Sequence, residues 1–123
     1  MEWIFRGWDA VGQKGWVYGD LAHNQKVTVD GLEPRVMVGG YEVVPESVGI
    51  SIGLPDKTGR MIFEGDIIKD RSDKVGYLRY DFFMARFEYG QRNENGSGSC
   101  WSWMEYGSKY EVIGNLYENK DMV

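Results

Sequence analysis

Val43-Val-Pro-Glu-Ser-Val-Gly-Ile-Ser-Ile-Gly-Leu-Pro-Asp-Lys-Thr-Gly-Arg-Met-Ile-Phe-Glu-Gly-Asp-Ile-Ile-Lys69 is the stretch on which the reading of this chain turns. Two proline-containing turns and a Glu64-Gly65-Asp66 corner punctuate three short β-branched runs, the pattern of brief strands joined by tight turns. The backbone is turned too often here to leave a cleft. The stretch therefore reads as scaffold rather than as a site.

Upstream, the aromatic run Trp3 to Asp9 and the run Trp16-Val17-Tyr18 are separated by Gly12-Gln13-Lys14-Gly15, which predicts a hairpin. Val27-Thr28-Val29 precedes Asp30-Gly31, a pair that tolerates the positive φ values of a tight turn, and Val36-Met37-Val38 is the returning strand. Pro34 lengthens the connection between them. His23 falls in a polar segment, Leu21 to Lys26, that reads as a surface loop. A helical turn can start at Pro45-Glu46-Ser47, with proline in its first turn, and Gly49 stops it.

Downstream, Tyr77-Leu78-Arg79-Tyr80 and Ala85-Arg86-Phe87-Glu88-Tyr89 predict a second hairpin. Alternation puts Ala85, Phe87 and Tyr89 on one face and Arg86 and Glu88 on the other. Residues 90–99 hold no large apolar side chain and read as a mobile surface loop. In Glu111 to Asn119, Gly114 stands between two apolar pairs and predicts a bulge or sharp bend. The expected layout is one domain of three parts: hairpins over 1–44, a turn-rich connector over 45–59, and a small barrel over 60–119.

Composition agrees with a mainly β chain. The 123 residues suffice for one domain that buries about two-thirds of its unfolded surface. Seventeen glycines beside 15% aromatics pair turn formers with strand formers. A net charge of −5 works against a general phosphate-binding surface. The one cysteine, Cys100, excludes an internal disulfide and a Cys-based zinc site. No apolar run is long enough to cross a bilayer, and the N-terminus lacks the layout of a signal peptide, so the expected location is the cytoplasm.

The letters that suggest chemistry have plainer explanations. Asp56-Lys57-Thr58-Gly59 copies the phosphorylated-aspartate tetrapeptide of the cation pumps, but Pro55 precedes it, Arg60 follows it and no large catalytic domains accompany it. A glycine turn explains it. His23 lacks a positioned partner and further ligands, Cys100 lacks a nearby cation, and Asp70 with Asp73 lacks the spacing of a calcium loop. No catalytic, cofactor-binding or metal-ligating residue is assigned, and an enzyme is the least favoured class.

Two binding classes stay open. Tyr77, Tyr80, Trp101, Trp103 and Tyr106 supply an aromatic surface of the kind small barrels use for extended peptides. The indoles of Trp101 and Trp103 fall on one face, which is either that surface or the core. Against this stands contact with single-stranded nucleic acid: from Lys57 to Arg92 eight basic residues face six acidic ones, a mild excess with the signs interspersed. Partners on the first reading are an unidentified protein, or a second copy in a homo-oligomer.

Phe5-Arg6-Gly7-Trp8-Asp9, Val44 to Gly49, Gly53 to Ile68 and Glu111 to Asn119 resemble, in order, the successive signature segments of the YopX family, small proteins encoded by bacteriophages and prophages. The departures are local: Gly7 stands where the family commonly has alanine, and Ile50-Ser51-Ile52 replaces a more usual Gln-Tyr-Thr. The resemblance implies a mainly β protein whose second half is similar to an SH3-like barrel. It brings no activity and no catalytic residues. Within it, Glu64, Gly65 and Asp66 read as a structural corner, glycine supplying the unusual φ and aspartate bonding nearby amides.

Overall fold

The computed structural model describes residues 4–81, 85–92, 99–103 and 109–122, with side chains for 4–80, 85–90 and 109–121. The fold is mainly β, as expected. Three antiparallel sheets account for the strands, and among the described residues there is no α-helix and so none able to cross a membrane. The chain divides into two compact units, residues 1–51 and 52–123.

In the first unit, β1 (Phe5–Trp8) pairs with β2 (Trp16–Gly19), Trp8 opposite Trp16 with the rings edge to face at 5.3 Å. This is the hairpin predicted from the aromatic runs. Asp9 shapes its loop by accepting the N–H groups of Val11 at 3.1 Å and Gly12 at 3.0 Å. Those bonds, Gly12 first, hold its carboxyl below the usual carboxylate value. Strands β3 (Leu21–Thr28), β4 (Gly31–Val38) and β5 (Tyr41–Val43) form a second sheet in that order. The core of the unit is Val17, Val38 and Val43, with Phe5, Leu21, Val36 and Val48 packed on it.

The predicted helical turn is a 3₁₀ turn over Pro45–Ser47. It is held by the buried Ser47 hydroxyl, which accepts from Trp8 N at 2.7 Å and donates to Val44 O at 2.6 Å. Residues 45–59 also contain the whole of a seven-residue strand, β6 (Gly49–Pro55), whose first residues pair with β1.

In the second unit, β7 (Met61–Phe63) leads through the Glu64-Gly65 turn to β8 (Asp66–Lys69). Strands β9 (Val75–Asp81), β10 (Arg86–Arg92), β11 (Ser99–Trp103) and β12 (Glu111–Asn115) complete a five-stranded sheet in the order β11-β10-β9-β8-β12. The predicted β9–β10 hairpin is present, Asp81 opposite Arg86. Its core gathers Ile62, Ile68, Leu78, Tyr89, Tyr110 and Val112, with Ile52 and Phe87 beside them.

Gly114 makes the predicted irregularity: Val112 pairs with Ile68 and Gly114 with Ile67, so Ile113 is the extra residue of a bulge. Asn115 follows, buried, and closes the strand. Its side chain accepts Glu118 N at 2.8 Å and donates to Glu118 Oε1 at 3.0 Å, and its backbone N–H donates to Asn119 Oδ1 at 3.2 Å.

Four expectations change. His23 is not in a loop but midway along β3. Pro34 does not lengthen a connection; it lies inside β4, opposite Gln25, and the turn is only Val29-Asp30. A proline is admissible there because half the positions of an antiparallel ladder exchange no hydrogen bonds. Glu88 is on the predicted face, yet that face is not solvent: Glu88 is 3% exposed, its carboxylate 3.8 Å from Arg79 Nη2 and 3.6 Å from Arg86 Nη2. The polar run read as a loop is strand as far as Arg92 and again from Ser99, and residues 93–98 lie outside the described residues.

Candidate functional site

Among the described residues the most exposed apolar side chains, Val11, Val27, Val29 and Leu32, are in the first unit. β3 and β4 pair without interruption from Leu21↔Val38 to Thr28↔Gly31. Because side chains alternate, Leu21, His23, Gln25 and Val27 share a face with Val38, Val36, Pro34 and Leu32. At its base this face is the core of the unit, and toward the tip it meets solvent. Val27 is 84% exposed, Val29 102% and Leu32 64%. An unsupported apolar tip gains nothing for folding, so its side chains need another reason.

Beside this face lies an open groove of about 380 Å³, lined by His23, Gln25, Pro34, Val36 and Pro45 together with Asn24 and Arg35. Arg35 is held in place, its Nε donating to Asn24 Oδ1 at 2.6 Å. On the opposite face, Lys26 reaches Glu42 across the sheet with Nζ 3.1 Å from both carboxylate oxygens. The wall of the groove is largely apolar, and His23, Gln25, Asn24 and Arg35 supply its polar groups. It has the character of a surface for chain segments and offers no paired acid and base.

The aromatic residues singled out in the sequence are in the second unit. Tyr77 and Tyr80 are both half-buried on β9, but they stand three positions apart and so face opposite sides of the strand. Tyr80 packs edge to face on Phe87 at 5.3 Å. In the register of β10 and β11, Trp101 is opposite Gly90 and Trp103 opposite Glu88. The side chains of Trp101 and Trp103, and Tyr106 altogether, lie outside the described residues.

The corner residues do structural work. Gly65 has φ +89°, its N–H donates to Leu78 O at 2.9 Å, and its carbonyl accepts Leu116 N at 2.8 Å. Asp66, 0% exposed, accepts Phe63 N at 2.7 Å, and Glu64 accepts Tyr80 N at 3.3 Å.

Asp56, first letter of the pump-like tetrapeptide, is equally committed. It is buried, and its Oδ1 accepts Thr58 N at 2.9 Å, Thr58 Oγ1 at 2.8 Å and Arg60 N at 2.9 Å, while Oδ2 accepts Val112 N at 2.9 Å. Burial pushes this carboxyl up, but the bonds from Val112, Thr58 and Arg60 outweigh it and hold the group below its ordinary value. A carboxylate so occupied has no oxygen turned to a substrate. Among the described residues no group of three His, Cys, Asp or Glu side chains is placed to hold a metal.

Fold and site together define an all-β protein that presents an exposed hairpin. The family model described as YopX protein matches residues 4–123. The chain belongs to the YopX family. A search of curated proteins finds no match.

Proposed function

We propose that this protein is a non-catalytic protein-binding module of phage or prophage origin, acting in the cytoplasm of a bacterial host, and that the β3–β4 hairpin is its contact surface. The observation that carries the reading is the exposure of Val27, Val29 and Leu32 at the end of an otherwise regular hairpin. Contact surfaces of this kind draw affinity from buried apolar side chains and from backbone pairing at a free edge. The sheet order of the second unit, with β12 returning to lie beside β8, supports an open SH3-like barrel as its architecture.

Nucleic acid is the weaker reading. Residues 21–38 carry Lys26 and Arg35 against Asp30 and Glu33, so the hairpin has no basic excess to draw a phosphate backbone. The test is photo-crosslinking in cells from a reactive amino acid at Leu32, with the exposed Arg71 as reference. Protein adducts at position 32 well above those at position 71 are expected. Equal yields, together with salt-dependent retardation of single-stranded DNA by the purified chain, would replace this reading with the nucleic-acid one.

A further inference from the structure

Strand β3 ends its sheet, so among the described residues one of its edges has no strand beside it. Pro34 shows which backbone groups point that way. It is opposite Gln25 and has no N–H, so this pair is a non-hydrogen-bonded one and the N–H and C=O of Gln25 turn outward. The adjoining Gly39 N–H donates to Asp20 O at 3.0 Å, which sets the same phase: the inward carbonyl of Asp20 leaves Leu21, His23, Gln25 and Val27 facing out. Edges of this length are ordinarily blunted by proline, a bulge or an outward lysine. β3 is eight residues long, has no proline and keeps one register throughout, and its lysine is drawn to Glu42.

We propose that β3 pairs antiparallel with β3 of a second copy of this chain, with Asn24 opposite Asn24 on a twofold axis; the proposal rests on the reading of the hairpin as the contact surface. Outward groups must meet outward groups, so the axis has to pass through a residue rather than between two. Centring on Asn24 uses the whole outward set, Leu21 opposite Val27 and His23 opposite Gln25, and forms about eight hydrogen bonds. Centring on His23 or Gln25 leaves one outward residue without a counterpart in the strand. In the Asn24 register Lys26 stands opposite Ala22, so the two lysines never meet, and the exposed Val27 is set beside Leu21. Charge favours the same occupant: in a chain of net charge −5, residues 21–38 are balanced, and two copies approach there without a like-charge excess.

The test is sedimentation equilibrium on the full chain and two kinds of variant. The unsubstituted protein is expected to be a dimer. Gln25→Pro removes an N–H that no β4 residue uses, so it should weaken association about tenfold or more while the circular dichroism is unchanged. Asn24→Cys should give a covalent dimer on mild oxidation, because directly opposed residues of a non-hydrogen-bonded pair stand about 4.5 Å apart, whereas Ala22→Cys should not. The unsubstituted chain controls for Cys100. Should Gln25→Pro fail to fold, the two cysteine variants decide alone. A monomer at concentrations on the order of 100 μM, or Asn24→Cys cross-linking no faster than Ala22→Cys, overturns the proposal. A monomer that still cross-links through Leu32 to another protein retires self-pairing and leaves the contact surface standing; absence of both retires both.

Discussion

The carboxylate of Asp56 accepts the backbone N–H of Val112 at 2.9 Å, joining two residues 56 positions apart in the chain. With three further bonds on its other oxygen, it fastens the turn after β6 to the start of β12. Asp56→Ala leaves the buried Val112 N–H without an acceptor, and a cost of about 3 kcal/mol is expected in urea unfolding. Asp56→Asn, which retains one acceptor oxygen, should cost less.

The same carboxylate sets a pH dependence. Its folded-state pKa is lowered, so the unfolded chain takes up the proton first and stability is lost as pH falls below the ordinary value of 3.8 toward the folded one. Above that value the contribution is complete. Unfolding midpoints measured from pH 5 downward should fall more steeply in the unsubstituted protein than in Asp56→Ala, whose acid limb is flatter.

Gly65→Val tests the corner. A side chain at φ +89° is strained, and a β-branched one most of all, so a loss of about 1–3 kcal/mol is expected. Cross-linking through Leu32 should be unchanged, because the corner holds the second unit and the contact surface is on the first.

Gly7→Ala probes the close approach of β1 to Val43. A Cβ at Gly7 would lie 2.8 Å from Cβ and Cγ1 of Val43, a core residue, so the substitution alone should cost about 1–3 kcal/mol. Val43→Ala removes two of the three obstructing atoms, Cγ1 and Cγ2, and leaves Cβ. A double-mutant cycle should then show a favourable coupling of about 1 kcal/mol or more between the two alanines.

Val27→Ser with Leu32→Ser should separate stability from contact. Both side chains are mostly in solvent, and the pair of changes should leave the unfolding free energy within about 0.5 kcal/mol. A photoreactive residue at the neighbouring Val29 should lose most of its protein adducts in this background.

Where the sequence could be read, the reason is local chemistry. Aromatic runs around a glycine turn gave β1 and β2, and a glycine between apolar pairs gave the bulge of β12. In β3, Val27 and Thr28 read as strand but Leu21 to Lys26 did not, because a largely exposed edge strand carries little apolar alternation; the signal was its mirror in β4, with Leu21 against Val38. Glu88 shows a different limit. Alternation tells which side a residue takes, not whether that side meets water, and two arginines from β9 and β10 were needed to make the second face habitable for a carboxylate. An expected barrel brings Tyr77 and Tyr80 near one another, but the parity of a single strand places them on opposite sides. The hairpin tip drew no attention, because two valines and a leucine read as ordinary strand until their exposure is seen.

The bulge at Ile113 works as a phase shifter. In a regular strand Val112 and Asn115, three positions apart, would look in opposite directions; with the extra residue between them they stand opposite Ile68 and Asp66, which share a face, and both are buried. Deleting Ile113 would put Asn115 two positions after Val112, so simple alternation would keep both on that face and the closing turn should survive. One residue too many in the ladder is thus what keeps Asn115, three positions past Val112, on the buried face.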